Sequence, residues 1–442
     1  MTIVCCFKSN ISQILEIIIY KILSAKQFYT LTLNIMLCYR KHSLFTKKYH
    51  IFKNDTQIHL GETITKIKYT INLTPQTMID WSIDHQTKQL NGFWLSWKKQ
   101  QKFFLMDATT CTLLKSTLNG IVTYGKHQIL YEPIQCLSHS SFGSNFQLVK
   151  MKYLDSRDSY LCKTIQKCLQ YTDDDFYYQI EILRSLDHSN IIKLKEVYNS
   201  NKNYHFVFDF PLGGSLADLI KSKQLQFKEV QLIIRQLMST ISFIHSKGYV
   251  HRNLKPEHIF FKEPNNLETL LISEFELGCS LVDFPNKHPN CRVHGYTAPE
   301  IKSKIFTQKC DIFSCGVILY KILTRKDLFD HESINYDEKM MLHLINQSDI
   351  NPQYQNLLRQ MLQFNPDLRA TADQCLTIID SILERTPTFS NFLDRFNLDN
   401  DGINDEIISI DLIQDQEELT ENQDFIQKLP IIQINKRIEM SY

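Results

Sequence analysis

The residues that could do chemistry are concentrated in the segment HRNLKPEHIFF, which covers positions 251–261. It places an amide at Asn253 and an imidazole at His258, with Lys255 between them. A neutral amide cannot accept the proton of a substrate hydroxyl, so it cannot act as a general base. Imidazole is a poor ligand for Mg²⁺, which prefers oxygen atoms. The segment therefore offers no general base at Asn253 and no oxygen ligand for Mg²⁺ at His258.

Other segments place this loop in a recognisable series. In chain order they are YLCKTI, the loop itself, EFE after the apolar run TLLIS, then YTAPE, DIFSCGVILY and FNPDLRAT. Over residues 131–385 this series resembles the eukaryotic Ser/Thr protein kinases, of the calcium/calmodulin-dependent type. The resemblance implies an α+β, bilobal kinase fold with a small β-rich N-terminal lobe and a large helical C-terminal lobe.

The resemblance also assigns roles within the loop. Asn253 stands where the family has its catalytic aspartate, and His258 stands where it has a metal-binding asparagine. Lys255 keeps the lysine that follows the base. Glu274 replaces the metal-binding aspartate of the D-F-G motif with a carboxylate that is one methylene longer. The resemblance thus implies a degenerate metal site at Glu274 and His258.

The nucleotide-binding positions follow from the same resemblance. Lys163 in YLCKTI corresponds to the lysine that contacts the phosphates, but Gln179 stands where its glutamate partner belongs. Gly143 is the glycine that remains of the glycine-rich loop. Leu161 replaces the small alanine above the adenine, and Asp209 lines the hinge. A poor phosphate cradle and a narrowed slot predict weak or absent ATP binding.

The segment after the D-F-G position departs further from the family. Glu276 replaces its glycine, which stiffens a backbone hinge and adds a negative charge where anionic phosphates would lie. Ser280 is the only hydroxyl between Phe275 and Tyr296. In related kinases the corresponding arginine binds a phosphate of this segment. We therefore expect Arg252 to find few groups to bind there.

The positions that support the fold are retained. They are an apolar spine, its anchor and a buried ion pair, namely Leu183, Leu194, His251 and Phe275, then Asp311, then Glu300 with Arg369. An intact fold with eroded chemistry predicts a pseudokinase that acts as a signalling scaffold or allosteric partner and needs no cofactor. Two alternatives are an active Ser/Thr kinase that uses ATP and Mg²⁺, and a sensor that binds nucleotide without turnover.

The rest of the chain divides by composition into a leader, a strand-rich region and a polar acidic tail, at residues 1–47, 48–130 and 386–442. The strand-rich region has short β-type runs, and its Asn91-Gly92 pair predicts a hairpin turn. Asp107 predicts the N-cap of a helix that follows. Several antiparallel strands that end in one helix resemble a pleckstrin-homology-like (PH-like) module.

The charge balance and the cysteines restrict the partners and the compartment. The chain has 49 basic and 48 acidic residues, which predicts no nucleic-acid binding. Its 12 cysteines are scattered without a C-x-x-C pair, which favours a reducing, cytoplasmic compartment. The expected partners are signalling proteins. Contact with a membrane through the leader or the PH-like region is a less favoured alternative.

Overall fold

In the computed structural model, the described part of the chain comprises residues 36–42, 45–63, 65–97, 100–126, 130–139, 145–151, 159–169, 171–287, 293–329 and 336–384. Most of the predicted leader and the whole predicted acidic tail lie outside these residues. Gly143 lies outside them as well, so its predicted role in phosphate binding stays a prediction.

The N-terminal region consists of antiparallel strands that end in one helix. The strands are β1 (Met36–Lys41), β2 (Thr46–Lys53), β3 (Gln57–Thr63), β4 (Lys66–Asn72), β5 (Met78–Ile83), β6 (Leu90–Trp97) and β7 (Gln100–Leu105), and helix α1 is Ala108–Leu118. Asp107 caps α1 as expected, because its side chain accepts a hydrogen bond from the Thr110 amide. Strand β1 pairs with β2 and β7. The strand-rich region therefore begins before the predicted start at residue 48.

The Asn91-Gly92 pair does not form the predicted turn. Both residues lie inside β6, where Gly92 is opposite Leu105 of β7. A Cβ atom on Gly92 would lie 2.7 Å from the Cζ atom of the Phe103 ring. Glycine is needed here because the neighbouring strand and its aromatic ring approach closely. The turn propensity of the dipeptide gives no sign of that approach.

The small lobe follows without a break in the sheet. Its elements are β8 (Thr123–Tyr124), β9 (Tyr131–His139), β10 (Asn145–Met151), β11 (Ser159–Gln166), α2 (Asp173–Ser185), β12 (Leu194–Asn199) and β13 (Asn203–Asp209). In the described residues the strand order is β4-β3-β2-β1-β7-β6-β5-β8-β12-β13-β11-β10-β9. The short strand β8 runs parallel to both β5 and β12. It therefore joins the strand-rich region to the small lobe as one sheet.

The large lobe is helical. It contains α3 (Leu216–Ser222), α4 (Phe227–Ser246), α5 (Lys309–Thr324), α6 (Glu338–Gln347), α7 (Pro352–Met361) and α8 (Ala372–Glu384), with the short strands β14 (Tyr249–Val250), β15 (Ile259–Phe261), β16 (Leu270–Ile272) and β17 (Cys279–Ser280). The predicted α+β class and two-lobed arrangement are confirmed. No helix in the described part of the chain is long and apolar enough to cross a bilayer.

Two hydrophobic cores hold these elements together. One runs from the small lobe into the large lobe. The other fills the strand-rich region and continues under the small-lobe sheet, where it includes Tyr160, Cys162, Tyr198 and Val207. Since side chains alternate between the faces of a strand, β11 contributes Cys162 to the second core and Leu161 to the first. The small lobe thus shares its packing with the strand-rich region.

Candidate active site

Helix α5 holds the predicted catalytic loop through the side chain of Asp311. Asp311 accepts hydrogen bonds from the backbone amides of His251 and Arg252, both at 2.8 Å, and its Oδ2 lies 3.0 Å from Nε2 of His245. Burial opposes the ionised carboxylate, but these bonds and the nearby imidazoles keep the pKa of Asp311 below its usual value. Arg252 has a left-handed backbone, with φ of 66°. The anchor predicted at Asp311 therefore fixes an uncommon backbone conformation at the start of the loop.

Asn253 lies in this loop as a buried donor. Its Nδ2 atom donates to the backbone oxygen of Glu274 at 3.4 Å. Its backbone amide donates to Nδ1 of His251 at 3.1 Å. The side chain at this position thus joins the loop to the segment that carries Glu274, and it has no charge with which to remove a proton.

His258 is a neutral, buried loop histidine. Its Nδ1 lies 2.7 Å from the backbone oxygen of Asn253. A carbonyl oxygen can only accept, so Nδ1 carries the proton and donates. Burial, and then the charge of half-buried Lys255, lower the pKa of His258 well below its usual value. The geometry matches that of a hydrogen-bonded structural residue more closely than that of a Mg²⁺ ligand.

The depressed pKa of His258 makes stability depend on pH. The unfolded chain binds this proton at about pH 6.5, whereas the folded chain resists it. The free energy of unfolding should therefore fall as the pH drops below that value, by up to about 1.4 kcal/mol per pH unit from this residue. His258→Asn should reduce that slope in urea denaturation curves. His343→Asn, at an exposed position, is the control and should leave the slope unchanged; equal slopes in all three proteins would contradict the expectation.

Lys163 on β11 sits in a buried cluster of charges. Its Nζ atom lies 2.9 Å from Oε2 of Glu274 and 2.6 Å from Oε1 of Glu276. All three side chains are less than 5% exposed. Burial disfavours the ammonium form, but the two carboxylates outweigh it and raise the pKa of Lys163. The lysine predicted to contact phosphates is therefore paired with two carboxylates of the chain itself.

The residue predicted to hold this lysine is engaged elsewhere. Gln179 on α2 is buried and accepts a hydrogen bond from the Tyr171 hydroxyl. A carboxylate reaches Lys163 instead from Glu276, in the segment after β16. Glu274 has a left-handed backbone, with φ of 66°. Sequence reasoning missed the role of Glu276, although its spacing of two residues from Glu274 could have indicated it.

Two residues were expected to line the nucleotide slot, Leu161 and Asp209. The first is packed in the core and the second lies at the surface. Leu161 is buried and lies opposite Phe208 of β13. Phe208 is buried in the same core. Asp209, at the end of β13, has a largely exposed side chain that forms an ion pair with Lys195 at 2.8 Å. Leu161 thus contributes bulk to the core, while Asp209 contributes a surface charge.

Arg252 is held by the segment that follows Glu276, contrary to the expectation that it finds few groups to bind there. Its Nη1 donates to the backbone oxygen of Lys287 at 2.6 Å and to that of Leu277 at 3.1 Å. Its guanidinium carbon lies 4.2 Å from the centre of the Phe284 ring. Backbone carbonyls and an aromatic face can hold a guanidinium without a phosphate. This arrangement was not foreseeable from residue types, because carbonyls have no sequence signature.

The buried ion pair and one contact of the predicted apolar spine form as expected. The His251 and Phe275 rings have centroids 4.5 Å apart. Arg369 and Glu300 form a bidentate pair, with Nη1 to Oε1 at 2.5 Å and Nη2 to Oε2 at 2.8 Å. Leu183 is buried in the same core. The scaffold of the site is therefore assembled although its charged groups have been replaced.

Comparison with known proteins matches this arrangement to one family. The model of the protein kinase domain matches residues 138–378. Two similar curated proteins are the calcium-dependent protein kinases 4 of Plasmodium berghei (strain Anka) and Plasmodium falciparum (isolate 3D7). Each is 32% identical over 260 residues, which cover 56% of this chain and 48% of the relative. The chain thus spans about half the length of the curated relatives it matches.

Proposed function

The chain belongs to the protein kinase family, within the Ser/Thr kinase superfamily, and we propose that it is a catalytically impaired pseudokinase. The observation that carries the proposal is the state of Asn253. Its amide is buried and donates to the backbone oxygen of Glu274, so the position of the catalytic base holds a hydrogen-bond donor without charge. Loss of a general base alone costs about 10²- to 10⁴-fold in rate.

Further departures act on steps other than proton transfer. His258 donates Nδ1–H to a backbone oxygen, and Lys163 is paired with Glu274 and Glu276. Metal binding and phosphate binding are affected by these changes, whereas proton removal is not. Because these groups act in different steps, restoring one of them does not restore the steps that depend on the others. The chain is therefore proposed to work without ATP or Mg²⁺.

A scaffold function fits the parts that are retained. The ion pair of Glu300 with Arg369 and the edge-to-face contact of His251 with Phe275 support a rigid two-lobed body. The strands that end in helix α1 support a PH-like module fused to that body. We propose signalling proteins as its partners, in the cytoplasm, and no nucleic acid; membrane contact through the leader or the PH-like region is the less favoured alternative.

One observation favours the alternative of an active Ser/Thr kinase that uses ATP and Mg²⁺. Lys163 and a carboxylate at Glu274 are both present and lie 2.9 Å apart. In that case another carboxylate of the chain would have to replace the base. An active kinase would transfer phosphate as the wild-type chain, whereas a pseudokinase would not.

The test is restoration of the charged base by Asn253→Asp. Transfer of labelled γ-phosphate from ATP to a generic protein acceptor is measured in single-turnover conditions with Mg²⁺ or Mn²⁺, beside Asn253→Ala as the matched control. We expect no gain in either variant, since Gln179, His258 and Glu276 remain. A metal-dependent gain of about 10²-fold or more with Asn253→Asp alone would show a site that lacks only its base, and would contradict the proposal.

A further inference from the structure

Lys163 is paired with more than one buried carboxylate. One ammonium group faces two carboxylates, those of Glu274 and Glu276. When ionised, these three side chains together carry a net charge of −1, and each of them is less than 5% exposed. Such a cluster repels an approaching polyanion, and burial leaves that repulsion poorly screened.

We propose that the Glu276 carboxylate is a built-in ligand of Lys163, which occupies the place of a polyphosphate and keeps anions out of the cleft. The inference deepens the proposed function and rests on it, because it explains how the fold works without a nucleotide. Glu276 is the closer of the two carboxylates to Nζ, at 2.6 Å against 2.9 Å for Glu274. Its side chain is also fully buried.

The backbone holds both carboxylates on the same lysine. Glu274 and Glu276 flank Phe275, whose ring packs against His251 with centroids 4.5 Å apart. Phe275 is 2% exposed and belongs to the main core. Because the ring is fixed in the core, the backbone on either side of it is held in place, which keeps both carboxylates within reach of Lys163.

A set of side-chain bonds ties the segment after Glu276 to helix α2. The Tyr178 hydroxyl donates to Oδ2 of Asp283 at 2.7 Å and accepts from the Ser280 amide at 2.8 Å. Lys287 forms an ion pair with Asp175 of α2 at 2.9 Å. Together these bonds, here called the α2 latch, keep the built-in ligand in position from the surface side.

On helix α2, the position where the family has the glutamate partner of the lysine carries no charge. At Gln179, α2 presents an amide that is bonded to the Tyr171 hydroxyl. An amide oxygen does not neutralise an ammonium group, so the counter-charge of Lys163 has to come from the segment that holds Glu276. Because the charge comes from Glu276 and not from α2, the residue at position 276 decides whether the cleft accepts an anion.

The experiment measures binding of ATP and of inorganic tripolyphosphate, each with and without Mg²⁺, by thermal shift and equilibrium dialysis. Wild type is expected to show no shift at millimolar ligand. Glu276→Gln and Glu276→Gly should bind about 100-fold more tightly, since a unit charge about 5 Å from a phosphate has been removed. Adding Lys163→Met should abolish the gain. Glu268→Gln, at an exposed position, is the control for the change in net charge and should behave as wild type.

Two further measurements make the result decisive. Tyr178→Phe weakens the α2 latch without touching the cluster, and it should raise the anion affinity several-fold even if the variants at 276 fail to fold. Folded Glu276→Gln protein that binds no more tightly than wild type would overturn the inference, and so would wild type that already binds either ligand at micromolar concentration. Phosphate transfer is scored separately: wild type that binds ATP without transfer refutes only this inference, whereas wild type that transfers phosphate refutes the proposed function.

Discussion

Replacing Lys115 by methionine is expected to lower the free energy of unfolding by about 3–5 kcal/mol. Lys115 lies on α1 of the strand-rich region, and its ammonium group forms an ion pair with Glu196 on β12 of the small lobe. Both side chains are almost completely buried. The Tyr198 hydroxyl donates to the other oxygen of Glu196 at 2.5 Å. Without Lys115 the carboxylate is left buried without its counter-charge.

The second half of this prediction is a partial rescue. Lys115→Met combined with Glu196→Gln should recover much of the loss, because a neutral amide can still accept from Tyr198 and needs no counter-charge. Asp209→Asn breaks the nearby surface pair with Lys195 and serves as the control, with a cost below about 1 kcal/mol. Urea denaturation measures all four proteins. Losses for Lys115→Met no larger than those of the control would contradict a structural role for this pair.

Replacing Glu300 by alanine is also expected to lower the free energy of unfolding by about 3–5 kcal/mol. This change breaks a buried ion pair in the large lobe. The Arg369 guanidinium is 1% exposed and bonded to both oxygens of Glu300. It also donates to the backbone oxygens of Gln363 and Lys309, both at 2.8 Å. Removal of Glu300 therefore leaves a charge that those carbonyls orient but cannot neutralise.

A surface pair provides the matched control for this variant. Arg235 and Asp380 are joined at 2.8 Å, but their side chains are 53% and 45% exposed. Asp380→Ala should cost less than about 1 kcal/mol, because water screens the pair. Denaturation midpoints of the full chain measure both variants. If Asp380→Ala proved as damaging as Glu300→Ala, burial would not be the cause of the difference.

The sequence predicts the fold and the site residues where the structure depends on residues that are close together along the chain. Asp107 was identified as a cap because capping requires only the residues that follow it along the chain. Asp311 and the Glu300–Arg369 pair followed from segments that keep a family pattern. In these cases the residue type itself determines the contact that it makes.

Predictions failed where the contact depends on distant parts of the chain. The pairing of Lys163 with Glu276 requires the turn after β16 and the packing of Phe275, and the two-residue spacing from Glu274 is the sign of it in the sequence. The pair of Lys115 with Glu196 requires β8 to join the strand-rich region to the small lobe, which cannot be inferred from a two-residue strand. Arg252 is held by backbone oxygens, which any residue could provide.

The residues at the replaced positions of this site have structural contacts. Asn253 and His258, which stand where the family has its base and a metal ligand, are hydrogen-bonded parts of the loop. Lys163 kept its charge, and a buried charge is costly without a partner. The proposed pseudokinase has retained that charge by supplying a carboxylate from Glu276. A buried lysine in such a site is therefore weak evidence for catalysis.

The most direct test of the central claim is the single-turnover rate of γ-phosphate transfer from ATP by the wild-type full chain. The rate is compared with that of Lys163→Ala in the same assay, with Mg²⁺ and with Mn²⁺. We predict that both proteins give the rate measured without protein. Metal-dependent transfer by wild type that disappears in Lys163→Ala would contradict the account.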